Sequence, residues 1–375
     1  MLIDAMRVKI NDKSIMVSHL NLIKTTRKIT TKENNMYICV LSSTPEANDI
    51  PYDPSPYMNG YRWKQHLVAS ADVDKQIRNL MDEGVDTFVN LCDGTPDDGL
   101  SGIALVHVLE KYNAAFTGAD SKFFDPTRDE MKNAAKRVSV PTPNWTFVNR
   151  VEDAEKVVKR LKFPMLVKPP HGYASVGIRR NSRVTDIEQL REQLKLEIEE
   201  FGRALIEEFI DGREFTCLIA ENPDDPKKPL TFTPVEFIFP SGESFKHYDM
   251  KWVEYEKMSV AVVNDPKIEK TLREQTMRVF KELNGNGYAR CDYRMDADGV
   301  IHMLEINPNC GIFYPPHEPG SADFSLLNDP VTNHTKFMKM IVHNAHNRRN
   351  RIAAEKVVKR QPRKRVIEVE QMAYS

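Results

Sequence analysis

The sequence has no CxxC pair, no apolar run near the ~18 residues that a membrane-spanning helix needs, and no internal repeat. Its five cysteines (Cys39, Cys92, Cys217, Cys291 and Cys310) are odd in number and widely spaced. That argues against a disulfide framework or a zinc site and predicts free thiols in a reducing, cytoplasmic setting. The N-terminus lacks the continuous apolar core of a secretory signal. The 53 Lys and Arg nearly balance the 54 Asp and Glu, for a formal net charge of −1. No overall charge draws the chain to nucleic acid or an anionic membrane. The stretch GYASVG (172–177) has P-loop glycine spacing, but Ile178 and Arg179 follow it instead of Lys and Ser/Thr, so the Walker motif fails.

With 375 residues, the chain is long enough for two or three domains. Residues 1–35 are polar and read as an extension. Met36–Leu41 is a buried strand, and 42–60 is a proline-rich loop. Then come a helix from about Val73, a strand at Val85–Leu91, a turn-rich loop at 92–102, a helix through Ile103, Val106 and Leu109, and a short strand at 115–118. Such alternation predicts a parallel α/β layer over 36–120, with ligand loops at the carboxyl ends of its strands.

Residues 121–202 bring helices at 129–138 and 153–161, a strand at 163–168, the loop 169–178, and a helix opened by a Thr185–Glu188 capping box. Residues 203–345 bring strands at 204–209, 214–220 and 230–239, a helix at 267–283, a hairpin, and helix from 324 to about 344, broken at Pro330. The basic run from 346 reads as a solvated tail.

The hairpin is the most telling stretch: RCDYRMDADGVIHMLEINPNCG, 290–311. Asp298-Gly299 is a strong two-residue turn signal. Counting outward from an Ala297–Val300 pair sets Asp292 opposite Glu305 and Arg290 opposite Asn307, all on one face. The same count puts Cys291, Tyr293, Leu304 and Ile306 on the other. Two facing carboxylates repel unless a cation lies between them. Carboxylate and amide oxygens suit Mg²⁺ or Mn²⁺, and an arginine beside them suits an anionic oxygen.

Taken in order, FPMLVKPPHGYASVGI, LIEEFIDGREFT and this hairpin resemble the ATP-grasp superfamily, and within it the D-alanine–D-alanine ligase group. The resemblance covers roughly residues 85–311. It implies a mixed α/β and α+β fold of three domains, in which an N-terminal parallel α/β layer precedes two lobes gripping ATP. It also implies a carboxylate–amine ligase that uses ATP and two Mg²⁺ ions and acts through an acyl phosphate. A homodimer is among the assemblies it allows.

By position, the resemblance assigns Lys168 to the α and β phosphates, with Arg128 in the place of a phosphate-binding lysine and Ser175 matching a loop serine. Glu207, Glu208 and Ile210 would line the adenine hinge, and Glu214 would hold the ribose. Asp292, Glu305 and Asn307 would bind metal. Arg290 and the Gly311 N–H would stabilise an oxyanion, and Lys251 would reach the γ-phosphate.

At the substrate ends the sequence departs from the group. Residues 42–57 lack the glycine-rich motif, Asp97 stands for a glutamate, and Phe313-Tyr314-Pro315-Pro316 replaces a Ser-Leu pair. A small carboxylate and a small amine are the expected partners. A larger substrate, or nucleotide binding without catalysis, stays open at this point.

Overall fold

The computed structural model describes residues 36–43, 50–94, 100–171, 177–247, 250 and 257–360, with side chains as far as 354. Ser175, Lys251, Asp97 and the 1–35 extension lie outside the described residues.

Three sheets organise the described residues. The first is wholly parallel, with strand order β2-β1-β3-β4. Its strands are β1 (Tyr37–Ser43), β2 (Arg62–Val68), β3 (Thr87–Asn90) and β4 (Ala115–Phe116). Helices α1 (Val73–Asp82) and α2 (Gly102–Lys111) connect them. Isoleucine, leucine and valine on the two helices pack with Phe88 and Phe116 into one core. Strand β2 is an edge strand just past the proline-rich 42–60 loop, in a stretch to which the sequence pattern assigns no element. Its alternation is masked by Lys64, Gln65 and His66, which an exposed edge tolerates.

The second sheet is antiparallel, with order β5-β8-β6-β7. It comprises β5 (Trp145–Val148), β6 (Met165–Lys168), β7 (Arg183–Val184) and β8 (Ala204–Glu208). Helix α3 (Arg128–Arg137) leads into it, opened by a Thr127–Glu130 capping box. The region expected to be helical from 153 to 161 holds only the single-turn helix α4 (Ala154–Val157). Helix α5 (Ile187–Phe201) starts one residue later than the capping signal suggested. Asp186 is the N-cap and accepts from the Gln189 N–H at 2.9 Å, while Thr185 donates back to the Gln189 side chain.

The third sheet runs β12-β11-β9-β13-β14, with β10 paired to β9. It contains β9 (Arg213–Ala220), β10 (Leu230–Thr231), β11 (Val235–Ile238), β12 (Ser259–Val262), β13 (Tyr288–Met295) and β14 (Ile301–Pro308). Helix α6 (Pro266–Glu282) covers one face, capped by Asp265. Helices α7 (Ser321–Leu327) and α8 (His334–Arg360) close the fold.

Helix α8 passes through residue 346 without a break, so the start of the basic run is not a solvated tail. Arg348 is buried and donates to the carbonyls of Phe116 and Gly118 at 2.6 and 2.7 Å, while Arg351 pairs with Glu221. Those carbonyls lie at and just past the end of β4, the last strand of the parallel sheet, where outgoing C=O groups need donors.

The β13–β14 hairpin corrects the predicted turn. Met295 pairs with Ile301, so Ala297 does not face Val300. Asp296 N–H bonds the Val300 carbonyl at 3.0 Å, which leaves a three-residue loop with Gly299 in the left-handed region at φ 80°. That shifts the register by one residue. A bulge between the Asp292 and Tyr293 pairs shifts it back, so Asp292 still faces Glu305 and Arg290 still faces Asn307. The two offsets cancel at the positions that matter. The bulge residue is Leu304, which turns from the core face to the site face. Cys291, Tyr293, Met303 and Ile306 hold the core side.

Candidate active site

The site lies where the second and third sheets face each other. Its pocket is lined from the second by Leu166, Lys168, Glu207 and Glu208, and from the third by Glu214, Arg290, Asp292 and Glu305. Strand pairing sets the third-sheet half. Asp292 lies opposite Thr216 on one side and Glu305 on the other, and Glu214 lies opposite Arg294. Cross-strand partners share a face, so three neighbouring strands deliver polar side chains to one surface.

Asp292 is the hub. Arg290, two residues away on the same strand, grips both of its oxygens through Nε at 2.9 Å and Nη2 at 2.8 Å. Thr216 donates to Oδ1 at 2.7 Å, and the Asn307 amide donates to Oδ2 at 3.1 Å. That same amide nitrogen lies 3.3 Å from Glu305 Oε1. Burial alone would raise the Asp292 carboxyl. The Arg290 guanidinium and the Lys246 ammonium overcome this and hold it at about 2. Arg290 in turn is held protonated by Asp292 despite burial.

Among the described residues no three His, Cys, Asp or Glu side chains cluster as metal ligands. The donor set here is two carboxylates and an amide converging on one point. Rotating the Asn307 amide presents Oδ1 where Nδ2 now sits, and the set is then three hard oxygens, a fit for Mg²⁺.

The rest of the pocket wall is built from buried ion pairs. Glu207 is 2% exposed and joins two lysines, Lys168 at 2.5 Å and Lys132 on α3. Burial would raise its carboxyl, but the two ammonium groups hold it well below the usual carboxylate range. Glu214 bridges Lys246 at 3.0 Å and Arg294 at 3.2 Å. The Glu208 side chain is taken by Asn144 and by the Lys162 N–H, which leaves its backbone toward the pocket beside Ile210.

Arg128 is not among the lining residues. It is buried behind the pocket and donates to the Pro169 carbonyl, where the 169–178 loop begins. Lys132, one turn further along α3, reaches Glu207 instead.

Sequence reasoning missed Lys132, Thr216, Lys246 and Arg294. Thr216 and Arg294 were recoverable, since each keeps the two-residue alternation with Glu214 or Asp292. Lys132 and Lys246 had no local signal. Cys310 borders the site, and burial pushes its thiol to about 12, so it is no nucleophile. Gly311 and Tyr314 come together: a Cβ at Gly311 would lie 2.7 Å from the Tyr314 hydroxyl and 2.9 Å from that of Tyr52.

The parallel layer followed by two antiparallel sheets closing on a shared cleft is the ATP-grasp architecture. Its structural likeness to the D-alanine–D-alanine ligase of Bacillus anthracis, solved in complex with ATP, has a TM-score of 0.64 at 18% identity. That likeness covers 85% of this chain and 99% of the other. Residues 135–317 match the family model described as "D-ala D-ala ligase C-terminus". Curated relatives include the D-alanine–D-alanine ligase of Lactococcus lactis subsp. cremoris (strain MG1363), 29% identical over 206 residues. This match covers 53% of this chain and 57% of that protein's length. The Aquifex aeolicus (strain VF5) enzyme of the same name is 28% identical over 268 residues, with 70% of this chain and 82% of its own length matched.

Proposed function

We propose that the protein is an ATP-dependent carboxylate–amine ligase that forms an amide between two small substrates. The observation that carries this reading is the Arg290–Asp292–Asn307–Glu305 cluster on one face of two antiparallel strands, adjoining a cleft walled by Lys168, Glu207 and Glu214. The relatives' names and the ATP-bound neighbour support it.

In this reading Glu208 and Ile210 offer backbone groups to the adenine, Glu214 takes the ribose hydroxyls, and Lys168 meets the phosphates. Ser175 and Lys251 would close over the β and γ phosphates when the 169–178 loop shuts. Arg128 would position that loop through Pro169. Asp292, Glu305 and Asn307 would hold two Mg²⁺, which supply charge screening between the nucleotide and an attacking carboxylate.

The carboxylate oxygen attacks the γ-phosphorus and ADP leaves, which gives an acyl phosphate. The amine nitrogen then attacks the acyl carbon, inorganic phosphate departs, and one proton is released. Arg290 and the Gly311 N–H face the oxyanion of the tetrahedral stage. Asp97 and Tyr314 would contact the substrates.

About 90 Å³ of the pocket is open, well below the ~300 Å³ lower bound of ordinary ligand pockets. Lys168 paired with Glu207 and Lys246 paired with Glu214 line it, so nucleotide entry requires these pairs to part or the two sheets to separate. The buried thiols, all free, suit a reducing compartment. Among the described residues no helix is long and apolar enough to cross a membrane. We divide the chain at about 120, 202 and 345 into a preceding α/β unit, two gripping lobes and a basic segment.

Hydroxylamine traps acyl phosphates as hydroxamates, so the test needs no knowledge of the natural amine. Purified protein with ATP, Mg²⁺, hydroxylamine and a panel of small carboxylic and amino acids should give hydroxamate and ADP in equal amounts with at least one acid. ADP production that stays at background for every acid would overturn the reading.

A further inference from the structure

A second cavity adjoins the cleft. Its volume is about 680 Å³, against about 90 Å³ for the cleft. That falls within the ~300–1,000 Å³ of small-molecule sites. It forms where α3 and the segment 138–145 meet the residues just after α4. Pro143 lines both hollows and is a shared wall.

The charge of this cavity is of one sign. Lys132, Lys136 and Arg160 line it, and among the described residues no aspartate or glutamate does. Lys136 and Arg160 are exposed, and among the described residues neither makes an ion pair. The two acids of the neighbouring strand β8 are already held. Glu207 pairs with Lys132 and Lys168. Glu208 accepts from the Asn144 side chain at 2.8 Å and from the Lys162 N–H at 2.9 Å. A concave surface of one sign concentrates counter-ions.

The walls are preformed. Pro141 and Pro143 fix φ along the segment. Main-chain hydrogen bonds pin it on three sides. The Val140 N–H donates to the Ala135 carbonyl at 2.8 Å, the Met303 N–H to the Pro141 carbonyl at 2.8 Å, and the Glu208 N–H to the Asn144 carbonyl at 2.9 Å. Trp145, where the segment enters β5, adds an aromatic wall. Little ordering is left for a ligand to impose.

Lys132 connects this cavity to the cleft. It is 3% exposed, lines the cavity and pairs with Glu207, which holds Lys168 in the cleft wall. Two ammonium groups share one carboxylate, so a change at Lys132 alters the hold of Glu207 on Lys168.

We propose that this cavity is a regulatory site for a small, multiply charged anion bearing phosphoryl or carboxylate groups, and that the bound anion weakens ATP binding. The arginine fork and the two ammonium groups supply charge-assisted hydrogen bonds to such oxygens. As Lys132 turns toward the anion, Glu207 is left to Lys168 and holds it more tightly against transfer to the nucleotide phosphates. The anion site stands by itself, and its effect on ATP rests on the ligase reading.

The test titrates the full chain, free of nucleotide and Mg²⁺, with inorganic pyrophosphate and separately with citrate. Calorimetry and tryptophan fluorescence follow the binding. At least one anion should bind saturably, with a fluorescence change that Trp145→Phe removes while the heat remains. The tighter of the two tells phosphoryl from carboxylate recognition. Lys136→Glu and Arg160→Glu should each weaken binding at least about tenfold, and should leave hydroxamate formation without added anion unchanged. With Mg²⁺ in excess, the anion should raise KM for ATP about fivefold or more in the wild type and not in these variants, and ATP should weaken anion binding by the same factor. No binding of either anion would overturn the site. Binding that both variants leave intact would also overturn it and mark the anion as an occupant of the nucleotide cleft. Binding at the cavity with KM for ATP unchanged would overturn the regulatory role. Absence of hydroxamate with every acid would remove the ligase reading, while the titrations still decide the anion site.

Discussion

The pocket wall and the corner around Tyr314 are built on different principles. In the pocket wall, Glu207 is matched by Lys132 and Lys168, Glu214 by Lys246 and Arg294, and Asp292 by Arg290. At the Tyr314 corner there are rings, prolines and glycines, and position is set by shape and by backbone hydrogen bonds to Asp323. A buried charge that loses its partner is strongly penalised, so charge-matched positions tolerate few substitutions. A wall of rings can be rebuilt by changing loops without exposing a charge. The pocket wall should therefore stay put while the Tyr314 corner is free to specialise.

Substitutions can break this contrast, and the largest effect should come from the hub. Asp292→Asn removes a proposed metal ligand and strands the buried Arg290. ATP-dependent hydroxamate formation should fall at least about 100-fold, the top of the range for perturbing partners of metal ligands, and stability by about 3–5 kcal/mol. Because the Asp292 carboxyl is held at about 2, below its ordinary 3.8, its stabilisation is full above the ordinary value and is lost as pH falls through the lower one. Thermal melts from pH 5 to pH 2 should therefore show a steeper acid limb for the wild type than for Asp292→Asn.

Glu207→Gln should come next, because it leaves two buried ammonium groups facing a neutral amide. An increase of about tenfold or more in KM for ATP and a loss of about 3 kcal/mol are expected from enzyme kinetics and urea titration. Gly320→Ala then probes the Tyr314 corner. Its backbone, at φ −79°, accepts alanine, so the whole effect is displacement of the Tyr314 ring. Phosphate release with amine acceptors should fall about tenfold, while KM for ATP holds steady.

Glu197 on α5 gives a smaller effect of opposite sign. Burial raises its carboxyl from 4.5 to about 7 against the pull of Arg179, so the folded protein binds a proton more tightly than the unfolded chain. Stability is undiminished below the ordinary value and is lost as pH rises through about 7. Glu197→Gln should gain about 1 kcal/mol at pH 8 and nothing at pH 4.5, seen as a shift of a few degrees in Tm at the higher pH only. Smallest of all, Gly299→Ala meets no atom within 4 Å and costs only the strain of positive φ, about 1 kcal/mol with unchanged kinetics.

The same contrast decides what the sequence could reveal. Asp292, Glu305 and Arg290 were legible because strand alternation and like-charge repulsion constrain where such residues can stand. The Asp292–Glu305 pairing was reached through a turn of the wrong length, and it survived because the Leu304 bulge restores the register. Nothing in the local pattern announces a bulge there. Glu207 and Glu214 were found through the likeness to known ligases, but their partners Lys132 and Lys246 come from distant segments and carry no periodic mark. Edge strand β2 was hidden by its polar side chains, and the break in β10–β11 sits at Phe232-Thr233-Pro234, where proline removes a donor. The meeting of Tyr52 with Tyr314 was beyond reach, since it depends on how loops from two sheets dock.

Arg348 has a bearing on how the whole molecule moves. Its guanidinium fastens the final helix to carbonyls at the rim of the opening sheet, and Arg351 fastens that helix to Glu221 just past β9. The first and third sheets are thus riveted together through a shared rod. In the proposed reaction, any parting of the cleft then falls to the second sheet, which carries Lys168 and Glu207.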